Sequence, residues 1–229
     1  MKEPINILLC DTRLLTLNEL SDFYEELPEI VKNKIDLKRV EDDKIVRIMG
    51  YYLLMQLINC KALQITLSDR GKPECKWLIF NLSYSNGTIA LIYSKDMSLE
   101  LGIDLEKIEK IAISNYINAF HPEEEKEILN SLDSNDTFFS IWTKKEALLK
   151  AKGIGILEGI SAFSVLENVI EIQDIKWFCS EIDYKNKWKV AICSNKDFSE
   201  RKVNINTVSG ELETICTELE KIVSFELKQ

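Results

Sequence analysis

The chain predicts an α+β fold made of two similar α/β halves, and two observations carry that expectation. Over residues 42–59, Ile45, Ile48, Met49, Tyr52, Leu53 and Leu57 recur at helical spacing, and strand-like apolar runs follow. The same order, helix and then strands, recurs after about residue 98, without a residue-by-residue repeat. The expected division is residues 1–98 as the first half, 99–205 as the second, and 206–229 as a C-terminal helix or appendage.

Taken in order, residues 5–10 form an apolar run that reads as a strand. Residues 18–24 and 28–34 read as short helices, the second with Pro28 in its first turn. The long helix over 42–59 comes next, and residues 69–73 break the pattern as a loop. Residues 79–83 and 88–94 flank Ser85-Asn86-Gly87, and Asn-Gly between apolar runs signals a hairpin turn. A strand over 99–106 follows, then helices over 123–132 and 138–152, with Gly153 as the C-terminal cap of the latter. Residues 162–166, 169–172, 177–184 and 188–194 read as a meander of strands, and 211–225 as a late amphipathic helix.

Composition excludes several functions. The 229 residues are 45% hydrophobic and 29% charged, enough apolar side chain for a packed core. The formal net charge of −9 sets the surface against nucleic acid. Six scattered cysteines contain no C-x-x-C pair, which argues against a zinc ribbon or redox motif and fits buried thiols in a reducing compartment. The start, MKEPINILLC, does not read as a secretory signal, and no apolar run approaches membrane-spanning length. A cytoplasmic protein with no membrane partner is the expectation. His121 is the only histidine, so sites with several His ligands are excluded, and it reads as a surface or capping residue at a helix N-terminus.

Two segments carry chemistry. In residues 99–106 the apolar Leu101, Ile103 and Leu105 alternate with Gly102, Asp104 and Glu106. A side-chain period of two sends the first set to the core and puts both carboxylates on the other face, about 7 Å apart along the strand. Gly102 marks a place where something approaches the backbone closely. In residues 142–150, Trp142, Glu146 and Lys150 share one helix face at i, i+4 and i+8. Lys144, Lys145, Lys150 and Lys152 outnumber Glu146 there, a local charge reversal that an anionic ligand or partner would explain. Three carboxylates with lysines beside them suggest a hard divalent cation and the phosphates bound to it.

With these residues in place, the chain resembles the surfactin-type 4′-phosphopantetheinyl transferases over roughly residues 1–200. The matching segments are Arg70-Gly71-Lys72-Pro73, Asn81-Leu82-Ser83-Tyr84-Ser85, Gly102-Ile103-Asp104-Leu105-Glu106, Phe120-His121-Pro122-Glu123-Glu124 and residues 142–150. The resemblance implies two halves related by pseudo-twofold symmetry, with coenzyme A in the cleft between them. It implies transfer of the 4′-phosphopantetheine group to a serine of an acyl or peptidyl carrier protein, releasing adenosine 3′,5′-bisphosphate. It implies Asp104, Glu106 and Glu146 as ligands of Mg²⁺ or Mn²⁺, Lys150 near the pyrophosphate, and Lys72 on a phosphate of coenzyme A. Glu124 matches a further acidic position near the metal, and Arg47 is a candidate for the adenosine phosphates. The family's His at a 3′-phosphate contact is Tyr84 here, with Ser83 beside it as a donor. Two early-helix lysines of the family are also missing, and Lys32 and Lys34 are the nearest substitutes. The general base is Glu146 or a metal-bound water. The carrier is expected to be acidic, received by Lys144, Lys145 and their basic neighbours, and the enzyme to be a monomer. The alternative is a catalytically weakened coenzyme A- or carrier-binding homologue.

Overall fold

Strand β1 (Ile5–Asp11) is buried on both faces, and the architecture follows from that. Ile5, Ile7 and Leu9 pack with Ile103, Leu105 and Ile192 of a second sheet, whereas Leu8 and Cys10 pack beneath helices. The computed structural model describes residues 2–58, 65–67, 73–154 and 160–226. Helices α1 (Ser21–Glu26), α2 (Glu29–Asp36) and α3 (Glu41–Ile58) follow β1. Next come the short pair β2 (Ile65–Leu67) and β3 (Pro73–Cys75), then the hairpin β4 (Ile79–Ser85) and β5 (Thr88–Ser94). Asn86 and Gly87 both take positive φ, 45° and 69°, the primed turn whose twist suits a two-residue hairpin loop.

The second half starts with β6 (Leu101–Lys107), continues through α4 (Pro122–Asn130) and α5 (Ser134–Lys152), and ends in β7 (Val169–Ile172), β8 (Ile175–Glu181) and β9 (Trp188–Ser194). In each half the first strand pairs antiparallel with the last hairpin strand, giving the orders β1-β5-β4 and β6-β9-β8. The fold is therefore mixed α+β with one strand-helix-hairpin plan used twice. The chain then returns to its beginning. Strand β10 (Val203–Ser209) pairs parallel with β1, and α6 (Leu212–Glu226) packs Ile215 and Leu219 into the core of the first half.

Helix α5 begins at Ser134, four residues earlier than its apolar pattern suggests, because Asp133 caps it by accepting from the Asp136 N–H at 3.0 Å. Gly153 ends it in the left-handed conformation, as expected. Residues 162–166 are not a strand, and β10 takes the place of a strand that the sequence pattern did not announce. The expected 69–73 loop falls mostly outside the described residues.

Edge strand β4 lies alongside edge strand β6, and α5 crosses β6 at Gly102. A Cβ there would meet the Ala147 carbonyl oxygen at 1.9 Å and the Ala151 nitrogen at 2.6 Å, both backbone atoms with no room to yield. Gly102→Ala should therefore cost at least the ~1–3 kcal/mol of an overpacked core, read as a lowered midpoint in chemical denaturation. An unchanged midpoint would mean that α5 does not press on β6.

Candidate active site

The alternation expected of β6 is what the structure shows. Leu101, Ile103 and Leu105 are fully buried between the sheets, and Gly102, Asp104 and Glu106 face α5. Along α5, Ala147 and Ala151 press on Gly102, Lys150 reaches Asp104, and Trp142 lies by Glu106. Edge strand β4 closes the site from the other half. Its Ser83 hydroxyl donates to Asp104 Oδ1 at 2.7 Å, and its Ser85 hydroxyl donates to Glu106 Oε2 at 2.9 Å. The Lys150 ammonium donates to the same Asp104 oxygen at 2.7 Å and to Ser83 Oγ at 2.9 Å.

Electrostatically the site is short of positive charge. Burial, then the charge of Asp104, push both Glu106 and Glu146 up to about 7. Lys150 pulls both back towards the ionised form, as do the Ser85 hydroxyl and Trp142 for Glu106. Asp104 Oδ2 and Glu146 Oε1 are buried and accept no hydrogen bond. Among the described residues no three acidic, Cys or His groups form a ready cage for an ion, and the cation seated at Asp104 is the lysine. Two carboxyls held protonated to about pH 7 in the fold, against 4.5 ordinarily, favour the folded state at low pH. That contribution is complete below about 4.5 and is lost as pH rises through about 7. In EDTA the melting temperature should accordingly fall by roughly 3 °C or more between pH 5 and pH 8. A flat profile over that interval would contradict the crowding of these charges.

Period-two alternation separates two residues that the motif places side by side. Ser83 faces β6, but Tyr84 points to the opposite side of β4, towards α3. A Cβ on Gly50 would touch the Tyr84 hydroxyl at 2.8 Å, and the Arg47 guanidinium lies 4.9 Å from the centre of the Tyr84 ring. Arg47, Tyr51 and Tyr84 line a cavity of about 350 Å³ with Lys34 and Lys38. Lys34 thus lines the same cavity as Arg47 and Tyr84. Lys32 is instead paired with Glu25 at 2.8 Å, and Lys38 was not anticipated, since it lies just beyond the end of α2. Lys72 lies outside the described residues. A second cavity of about 580 Å³ runs between the halves, with Pro73, Phe80, Leu99, Leu101, Ala151 and Gly153 among its walls.

The lysines of α5 are matched inside the molecule, and this corrects two expectations. Lys145 and Glu124 are each 0% exposed and form an ion pair at 2.8 Å, so Glu124 is no part of the acidic site and Lys145 cannot receive a partner. The Lys145 ammonium also donates to the carbonyls of Ile160 and Phe163. Glu124 accepts from the Val165 and His121 N–H groups. These bonds hold residues 160–165 in place and use groups that a strand ladder would need, which is why no strand forms there. Lys144 pairs with Glu181 at 3.4 Å, and Lys152 sits over the Trp177 ring. The local excess of lysine is thus answered by acids and aromatics of the same chain. His121 caps α4, accepting from the Glu123 N–H.

The profile described as the 4′-phosphopantetheinyl transferase superfamily matches residues 100–193, which include β6, α5 and every carboxylate of the site. Over that stretch the chain is similar to that superfamily. It is 25% identical over 209 residues to the L-aminoadipate-semialdehyde dehydrogenase-phosphopantetheinyl transferase of Schizosaccharomyces pombe, covering 76% of this chain and 80% of that protein. It is 33% identical over 121 residues to the 4′-phosphopantetheinyl transferase gsp of Aneurinibacillus migulanus, about half of each chain. A third relative, the 4′-phosphopantetheinyl transferase psf-1 of Bacillus pumilus, is 27% identical over 154 residues, 62% of this chain and 65% of that one. The match thus spans four-fifths of the yeast protein but half to two-thirds of these two bacterial ones. Among the described residues no helix is long and apolar enough to cross a membrane. The five described cysteines are free thiols.

Proposed function

We propose that the protein moves the 4′-phosphopantetheine group of coenzyme A onto a serine of an acidic acyl or peptidyl carrier protein and releases adenosine 3′,5′-bisphosphate. The observation that carries this reading is the pair of buried, partnerless oxygens, Asp104 Oδ2 and Glu146 Oε1, in a site where three carboxylates face one ammonium. Such oxygens are costly unless a cation satisfies them, so the residues present fit a divalent metal. Asp104, Glu106 and Glu146 would hold Mg²⁺ or Mn²⁺. Bound there, the ion supplies positive charge to the pyrophosphate and to the charge that develops as the bisphosphate leaves.

The chain's own residues do the rest. Lys150 adds a fixed positive charge at the pyrophosphate. Glu146, with its carboxyl pushed up to about 7, is suited to take the proton of the carrier serine near neutral pH. Ser83 and Ser85 hold the carboxylates of β6 in orientation across the junction of the halves. The cavity lined by Lys34, Lys38 and Arg47 takes the phosphorylated adenosine end of coenzyme A, with Lys72 contributing, and the cleft between the halves takes the pantetheine arm. The two halves divide near residue 98 and are related by pseudo-twofold symmetry, residues 203–226 return to the sheet and core of the first half, and the enzyme works as a monomer.

Mass spectrometry tests this directly. Apo-forms of peptidyl and acyl carriers, incubated with the protein, coenzyme A and Mg²⁺, should gain one phosphopantetheine on serine. Unmodified carriers throughout, with coenzyme A intact, would overturn the transferase reading.

A further inference from the structure

Lys150 occupies an unusual position for a residue meant to meet phosphate. Its ammonium is committed to Asp104 Oδ1 at 2.7 Å and Ser83 Oγ at 2.9 Å. Asp104 is 3% exposed, and its other oxygen is bare. Three carboxylates against this one ammonium leave two negative charges uncompensated when all are ionised, the charge of one divalent cation. A divalent cation held by these carboxylates would add a second positive charge to the site that Lys150 already occupies at Asp104, and like charges in a buried site repel strongly. Lys150 has a way out, because its side chain is 28% exposed. Ser83 can keep Asp104 oriented after the lysine leaves, because it donates to Asp104 independently.

We propose that Lys150 is the resident counter-ion of the acidic site, and that a divalent cation binds by displacing it from Asp104. The lysine then meets the phosphates only once the cation is in place. This rests on the metal and coenzyme A reading above and adds an order of addition, cation first. Lys150 is thus a positioning residue in the cation-free protein and a phosphate-binding residue in the loaded one.

Two measurements on the full chain test it. In Mn²⁺ titrations without coenzyme A, Lys150→Met should bind the ion at least ~10-fold more tightly than the wild type, since the competing charge is gone. Lys152→Met, which removes a charge from the same helix but not from Asp104, should change affinity less than ~2-fold. Equal affinity in Lys150→Met and wild type would overturn the displacement. Absence of Mn²⁺ binding in the wild type would instead overturn the metal assignment, and the displacement with it. The second measurement needs no variant that folds. With ¹⁵N-lysine labelling, an ammonium signal protected by its bonds to Asp104 and Ser83 should be present in EDTA and absent with saturating Mg²⁺. Persistence of that signal in Mg²⁺ would show that the lysine stays in place.

Discussion

Asp104→Asn should lower phosphopantetheine transfer at least ~100-fold, the scale on which an electrostatic contact to the reacting group acts. It should do so without destabilising the fold. Asp104 is the carboxylate whose charge raises both Glu106 and Glu146, and one of its buried oxygens has no partner. Removing the charge relieves that crowding, whereas the amide can still accept from Ser83 and Lys150 with little change of shape. In EDTA at pH 8 the melting temperature should hold or rise relative to the wild type, and its increase on adding Mg²⁺ should vanish. A variant as active as the wild type would remove Asp104 from the site. A variant that loses stability along with activity would show that the aspartate is structural.

Lys145→Met should do the reverse, although Lys145 and Glu146 are neighbours on α5. The methionine fills similar volume but leaves the Glu124 carboxylate buried without its cation, and breaking a buried pair costs ~3–5 kcal/mol. For a chain of this size that corresponds to roughly 6–20 °C in melting temperature. Residues 160–165 should loosen first, because the carbonyls of Ile160 and Phe163 lose their donor. Hydrogen exchange would register this as lost protection at the Val165 amide, which bonds to Glu124. Protein that remains folded should keep its Mg²⁺-linked stabilisation. A melting temperature within a degree of the wild type would refute the burial of the pair.

These two neighbours mark how far the sequence could be read. The strand with Asp104 and Glu106, the helix face with Glu146 and Lys150, and the close approach at Gly102 were legible because each depends on a period within one element. The Asn86-Gly87 turn was legible because only a few residue types tolerate its backbone. What was not legible depends on partners far along the chain. The lysines of α5 looked like a surface awaiting an anion, yet Glu124 and Glu181 already lay opposite two of them. Ser83 and Tyr84 could have been separated by alternation alone, since adjacent strand residues face opposite ways, but the motif invited reading them together. Strand β10 has weak alternation and an exposed Ile205, and its partner β1 leaves no local trace in its composition.

That last pairing has a consequence for how the molecule is made. Ile5 lies opposite Val203, and the register continues to Asp11 opposite Ser209. Strand β1 is made almost two hundred residues before its parallel neighbour, whereas every strand of the second sheet lies between residues 101 and 194. Vectorial synthesis therefore presents the first sheet with one bare edge for most of translation, a surface prone to pairing with other chains. The second sheet is free of that wait. Truncation before residue 203 would make the bare edge permanent, and the damage would show as aggregation of nascent or refolding chains even though Asp104, Glu106, Glu146 and Lys150 are all still present.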